Sequence, residues 1–140
     1  MIKITNERSV SINDVLHLYQ AVGWTNYTNQ PQMLEKALSH SLATYLARDG
    51  EEIVGLVRLV GDGFSSVFVQ DLIVLPSYQR QGIGSNLMKE ALADYKDAYQ
   101  IQLATEQTEK TLGFYRSLGF ESLSTYDCTG MIWVDRKNLQ

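Results

Sequence analysis

The segment from Asp71 to Ser85, DLIVLPSYQRQGIGS, constrains this chain more than any other. An apolar run rich in Ile, Leu and Val is stopped at Pro76, which cannot donate to a sheet ladder. A polar loop with Gly82 and Gly84 follows, and from Ile83 the apolar residues recur at helical spacing. Strand, tight loop and helix start therefore lie within one short stretch. Glycine lets the backbone approach a ligand closely, the amides of a first helical turn lack partners, and the helix dipole favours negative charge there. The physics is that of an anion site, and a pyrophosphate is its natural guest.

Around this segment, strand-like and helix-like stretches alternate. Ile2 and Ile4 suit a short first strand. Ser11 with Asp14 has the form of a capping box before Ile12, Val15, Leu16, Tyr19 and Val22, which recur at helical spacing and stop at Gly23. Trp24 to Gln30 reads as a loop. Pro31 suits a first helical turn and opens a second amphipathic stretch with Met33, Leu34, Ala37 and Leu38 on one side. Ala43 to Arg48 and Ile53 to Val60 are strand-like and are joined across Asp49-Gly50, a dipeptide suited to a tight hairpin. After a second turn at Gly61-Asp62-Gly63, Ser65 to Leu75 completes a meander. Ile83, Leu87, Met88, Ala91, Leu92 and Tyr95 then form one helical stripe. Ile101 to Thr105 is a short strand, Thr108 to Leu118 is helical before Gly119, and Ser122 to Val134 is expected to hold one or two last strands. The order predicts one α+β (mixed α/β) domain over residues 1–140, with a mixed sheet flanked by helices.

Charge and cysteine usage narrow the function. With 16 acidic against 12 basic residues the formal net charge is -4, which argues against a sequence-independent grip on nucleic acid or anionic lipid. Cys128 is the single cysteine, so no intrachain disulfide is possible, and His17 and His40 do not complete a metal cage with it. No metal is expected, and Cys128 reads as a small buried hydrophobe. The N-terminus turns polar before any apolar run of signal-peptide length, and Ile53 to Val60 is broken by Gly55 and Arg58. The chain reads as a cytoplasmic protein with neither a membrane nor a nucleic-acid partner.

Spacing separates three kinds of phosphate loop. A nucleotide-hydrolase loop needs Lys and then Ser or Thr directly after its last glycine, whereas Ser85-Asn86 follow Gly84. A dinucleotide fingerprint needs a third glycine where Leu87 stands, and it opens a βαβ unit instead of following a meander. What remains is Gln79, Gly82 and Gly84 after a strand ending at Pro76. This resembles the Gln/Arg-x-x-Gly-x-Gly/Ala motif of the GCN5-related N-acetyltransferase (GNAT) family. Downstream, Gly113-Phe114-Tyr115-Arg116-Ser117-Leu118-Gly119-Phe120 resembles the family's Phe-Tyr-x-x-x-Gly-Phe segment. Val22-Gly23-Trp24 and the ending Gly130-Met131-Ile132-Trp133 are similar to a small branch of that family from bacteria and plastids.

The resemblance implies the acyl-CoA N-acyltransferase fold, its sheet split between Asp71–Leu75 and Ile101–Thr105 to admit acetyl-coenzyme A. The amides of Arg80, Gln81, Gly82, Ile83, Gly84 and Ser85 would cradle the pyrophosphate, with Gln79 opening the loop. The main chain of Ile73 and Val74 would pair with the pantetheine arm, and an amide at or beside Leu72 would face the thioester carbonyl. Tyr115 would lie near the sulfur and protonate the leaving thiolate. Asp71 would stand near the acceptor amine as the candidate proton acceptor, and Trp24 and Tyr27 would line the acceptor pocket. Thr108 occupies the position where the family usually carries an Asn that contacts the cofactor.

The implied reaction is direct acetyl transfer to a primary amine of a small molecule in a ternary complex, since no positioned Cys or Ser suggests an acyl-enzyme. A protein or peptide acceptor and a coenzyme A-sensing domain without turnover are the alternatives. Dimers are frequent in the family, and by analogy a homodimer is expected.

Overall fold

Nearly continuous apolar runs in the middle of the chain, of which Ile53 to Val60 is the longest, suit a sheet buried on both faces. The computed structural model describes residues Met1–Asp135. Its elements are β1 (Ile2–Asn6), α1 (Ile12–Ala21), α2 (Thr25–Thr28), α3 (Pro31–Ser39), β2 (Ala43–Asp49), β3 (Glu52–Gly61), β4 (Ser66–Val74), α4 (Ile83–Asp94), β5 (Gln100–Leu103) and α5 (Glu109–Ser117). Single 3-10 turns lie at Pro76–Tyr78 and Leu123–Tyr126. The strands lie in the order β1-β2-β3-β4-β5, antiparallel except for the parallel pair β4 and β5. This is the predicted mixed sheet flanked by helices.

Register decides which side chains face which layer. Leu46, Leu56 and Ile73 lie opposite one another across β2, β3 and β4 and join Val15, Leu18, Tyr19, Tyr27, Leu34 and Leu38 from α1, α2 and α3 in one core. On the other face, α4 approaches so closely that a Cβ on Gly55 would lie 3.2 Å from Leu87 Cδ1 and 3.4 Å from the Ala47 Cβ. Ile83, Leu87, Met88 and Ala91 form the buried stripe of α4, as their spacing predicts. The Tyr45 hydroxyl donates to Asp94 at 2.7 Å near the end of that helix.

The β3–β4 turn is closed at close quarters. Gly61 has φ +127°, and a Cβ there would lie 2.3 Å from the Ser66 carbonyl oxygen. Asp62 stabilises the turn by accepting the Ser65 hydroxyl at 2.5 Å and the N–H groups of Phe64, Ser65 and Ser66 at 2.7, 2.8 and 3.1 Å, and the hydroxyl first and then the amides hold its carboxyl well below the usual range. Gly61→Ala is expected to cost about 2–3 kcal/mol in chemical denaturation. Gly50, with φ +63° and open space around its Cβ position, should tolerate alanine at only about 1 kcal/mol.

Residues Met1–Leu103 form one compact unit and those from Ala104 onward a second. In the second, α5 is capped by Thr108, whose hydroxyl oxygen accepts the Thr111 N–H at 3.2 Å. Three expectations need correction. Trp24 to Gln30 contains the helical turn α2, closed by Thr28 N–H to the Trp24 carbonyl at 3.1 Å and Asn29 N–H to the Thr25 carbonyl at 2.9 Å. Ser122 to Val134 holds a 3-10 turn and no strand. Cys128 is exposed and not the small buried hydrophobe expected, because it closely follows the 3-10 turn Leu123–Tyr126 in a stretch that forms no strand with a buried face. Among the described residues, no helix is long and apolar enough to cross a membrane.

Candidate active site

β5 ends at Leu103 opposite Val69, so beyond that point β4 has a strand on one side only. The Leu75 N–H donates to the Val54 carbonyl at 2.9 Å. By the alternation of an antiparallel pair, the main-chain groups of Ile73 also face β3, and those of Leu72 and Val74 face the vacant edge. An extended ligand chain can add there as a strand would. β5 is a four-residue strand, so the pairing of β4 with it stops before Asp71, where the sequence leads one to expect the two strands to part.

At the end of this edge the chain turns into α4. The Tyr78 hydroxyl donates to Asp49 at 2.6 Å and the Gln79 side-chain amide to the outward Val74 carbonyl at 3.1 Å, which ties the loop to the sheet. Arg80 (φ +67°) and Gly82 (φ +79°) both adopt left-handed backbone. For Arg80 that conformation costs roughly 1–2 kcal/mol, a strain typical of ligand-holding loops. The first bond of the helical ladder runs from Asn86 N–H to the Gly82 carbonyl at 3.0 Å. The N–H groups of Ile83, Gly84 and Ser85 precede that ladder, and no side chain caps the helix. A Cβ on Gly82 would meet nothing within 4 Å, so the positive φ, not crowding, requires glycine here. The result is an open cradle of amides at a helix N-terminus, suited to a diphosphate.

Asp71 lies on β4 beside the vacant edge but points into the layer below. Relative to β3, Arg58 pairs with Asp71 and Leu59 with Val69, leaving Gln70 as an extra residue, a bulge. That one-residue shift places Val69 and Asp71 on opposite faces although both are odd-numbered. Asp71 and Arg58 are each 3% exposed. Asp71 Oδ2 accepts Arg58 Nε–H at 2.7 Å and the Tyr19 hydroxyl at 2.9 Å, while Oδ1 accepts the Tyr27 hydroxyl at 2.8 Å. Arg58 also donates to the Tyr27 hydroxyl at 3.2 Å and to Ser41 at 3.1 Å. Burial and the Asp71 carboxylate push both the Tyr19 and the Tyr27 phenol up, so both keep their protons. Trp24, half-buried, packs against both tyrosines with centroids 6.1 and 6.3 Å away. The predicted residues Asp71, Tyr27 and Trp24 are therefore brought together, with Arg58 and Tyr19 as the members that complete the cluster. An arginine in an otherwise apolar strand is the sequence signal for such a pair, because a charge there needs a partner.

Tyr115 belongs to the second unit. It is half-buried between Phe114 and Phe120, with ring centroids 5.0 and 5.9 Å away, and burial pushes its phenol up. It therefore holds its proton at neutral pH.

A strand edge left unpaired and running into an amide cradle is suited to an extended ligand that carries a diphosphate, and comparison with known proteins gives the family. Residues 40–122 match the acetyltransferase (GNAT) domain, and the chain belongs to that family. It is similar to the GNAT family acetyltransferase SP0256 of Streptococcus pneumoniae, with 74% identity, TM-score 0.90 and coverage of 97% of this chain and 99% of that one. It is 33% identical to the chloroplastic serotonin N-acetyltransferase 2 of rice over 95 residues, 65% of this chain and 48% of the plant protein. A GNAT acetyltransferase from Elizabethkingia anophelis with acetyl-CoA bound shares the fold at 21% identity, with TM-score 0.64 and coverage of 86% and 76%. The chain spans about half to two thirds of the length of the first curated relatives it matches.

Proposed function

We propose that this protein transfers the acetyl group of acetyl-coenzyme A to a primary amine of a small molecule, both substrates being bound together. The observation that carries this reading is the vacant edge of β4 leading into the uncapped N-terminus of α4. The amides from Arg80 to Ser85 hold the pyrophosphate, and the outward main-chain groups of Leu72 and Val74 pair with the pantetheine arm. The Leu72 N–H donates to the thioester carbonyl and strengthens its grip as that oxygen gains charge. The lone pair of the neutral amine forms the new C–N bond, the C–S bond breaks, the thiolate takes the Tyr115 hydroxyl proton, and the proton shed by the nitrogen passes to water, from which the Tyr115 phenolate regains its own. With both oxygens of Asp71 already accepting hydrogen bonds, that residue acts by orienting Tyr27 and Tyr19 on the acceptor side. Trp24 and Tyr27 supply an aromatic wall suited to an arylalkyl or alkyl amine, and the rice relative named for serotonin acetylation supports the same class.

The test is coenzyme A thiol release with a panel of arylalkylamines, alkylamines and peptides. Release with small amines and not with peptides is expected. Tyr115→Phe should lower kcat on the order of 10²-fold while leaving acetyl-coenzyme A affinity unchanged. Coenzyme binding without thiol release for any acceptor would contradict an enzyme and indicate a sensor.

A further inference from the structure

The amide cradle is built on exposed chain and holds strained backbone, so something must keep it in shape. From Pro76 to Gly82 every residue is exposed except Tyr78, which is half-buried. Within that stretch Arg80 takes a left-handed φ of +67°, a conformation that persists only where the surroundings over-determine it. The Tyr78 N–H donates to the Leu75 carbonyl at 2.8 Å and the Gln79 N–H to the Pro76 carbonyl at 3.3 Å, but both bonds stay within the turn. The Gln79 side chain reaches back only to Val74, on the strand that leads into the loop. Tyr78 reaches a different strand. Its hydroxyl donates at 2.6 Å to Asp49, at the end of β2, where the chain is paired with Ile2 of β1 and Glu52 of β3. That distance is typical of a hydroxyl on a carboxylate, among the stronger kinds of hydrogen bond. The bond to Asp49 first, and then burial, pushes the phenol up to about 12. In turn the Tyr78 hydroxyl is the first cause that holds the Asp49 carboxyl below its ordinary range. Donor and acceptor roles are therefore fixed at neutral pH.

We infer that Tyr78 and Asp49 are positioning residues for the coenzyme: their hydroxyl–carboxylate bond holds the loop in the conformation whose amides receive the diphosphate, and neither side chain touches the ligand. The inference rests on the reading of that loop as the diphosphate cradle. Released from Asp49, the loop is free to relieve the left-handed strain at Arg80, and the orientation of the Arg80–Gly82 amides goes with it. The ligand binds the held conformation, so its apparent affinity falls in proportion to the fraction of time the loop spends there. Two features distinguish this role from general support of the fold. The loss falls on a ligand that carries a diphosphate and spares one that pairs only with the β4 edge. It also depends on both partners of one bond, so removing the second partner costs nothing once the first is gone.

Calorimetric titration with acetyl-coenzyme A should give a dissociation constant about 10-fold larger for Tyr78→Phe than for the unaltered chain, since the ring is kept and only the hydroxyl is lost. Asp49→Leu should lose about as much, and the double variant no more than either, because the same bond is removed in all three. Asp49 also faces the Met1 amine at 3.5 Å. Asp49→Asn separates the two contacts: it gives up the charge toward the amine, but its carboxamide oxygen still accepts the Tyr78 hydroxyl, and most of the affinity should remain. S-acetylpantetheine, which carries the arm and the thioester without the diphosphate, is the control. Its binding, followed by ligand-observed nuclear magnetic resonance, should be the same in Tyr78→Phe and the unaltered chain. Unchanged affinity for acetyl-coenzyme A in Tyr78→Phe would overturn the inference and leave the cradle standing, as would losses that add in the double variant. A matching loss for S-acetylpantetheine would overturn it too, because the disturbance would then reach the strand edge. Failure of the unaltered chain to bind acetyl-coenzyme A would overturn the reading of the loop and the inference together.

Discussion

Arg58→Met, with Asp71 left in place, is expected to destabilise the protein by about 3–5 kcal/mol, lowering the urea midpoint by about 2 M. The reason is geometric. Asp71 is buried beneath α1 and α2, and its nearest charge donor is Arg58 Nε at 2.7 Å. Removing the guanidinium leaves the carboxylate with only the Tyr19 and Tyr27 hydroxyls and also deprives Ser41 of its donor. Asp71→Leu alone should be comparably damaging, because it strands the arginine. The double variant should recover most of the loss, since replacing a buried ion pair by apolar groups of similar volume is often nearly neutral. A double variant no more stable than either single one would show that the tyrosine hydroxyls, and not the charges, dominate the cluster.

Gly82→Glu is expected to weaken acetyl-coenzyme A binding about 100-fold or more, roughly 3 kcal/mol, at little expense to the fold. The added side chain enters open space, so the folded protein bears mainly the roughly 1–2 kcal/mol of left-handed strain. The ligand, in contrast, meets a carboxylate where the cradle offers amides to a diphosphate. Gly82→Ala separates the two effects, because it carries the strain without the charge and should lose much less affinity. Equal affinity in the glutamate variant and the unaltered chain would place the coenzyme elsewhere.

Much of this site is legible in the sequence because the decisive features are local. Pro76 stops a strand, Gly82 takes a left-handed φ, and Ile83, Leu87, Met88 and Ala91 repeat at helical spacing, each through interactions within a few residues. The bulge at Gln70 is not legible. VFVQDLIV reads as one apolar run interrupted by Gln70-Asp71, and only pairing with β3 reveals that Val69 and Asp71 face opposite layers. Nor is α2 legible: Thr25-Asn26-Tyr27-Thr28 has weak helix propensity, and the turn accompanies the burial of Tyr27 with its hydroxyl on Asp71. The tail misleads for a related reason. Met131 to Val134 has the composition of a strand, but composition does not supply a neighbour to pair with, and no strand is formed there among the described residues.

The most direct test of the account is calorimetric titration of the protein with acetyl-coenzyme A, with dephospho-coenzyme A and nicotinamide dinucleotide as controls. The account predicts saturable one-to-one binding of acetyl-coenzyme A, no binding of the dinucleotide, and loss of the acetyl-coenzyme A signal in Gly82→Glu. Absence of acetyl-coenzyme A binding to the unaltered chain would contradict it.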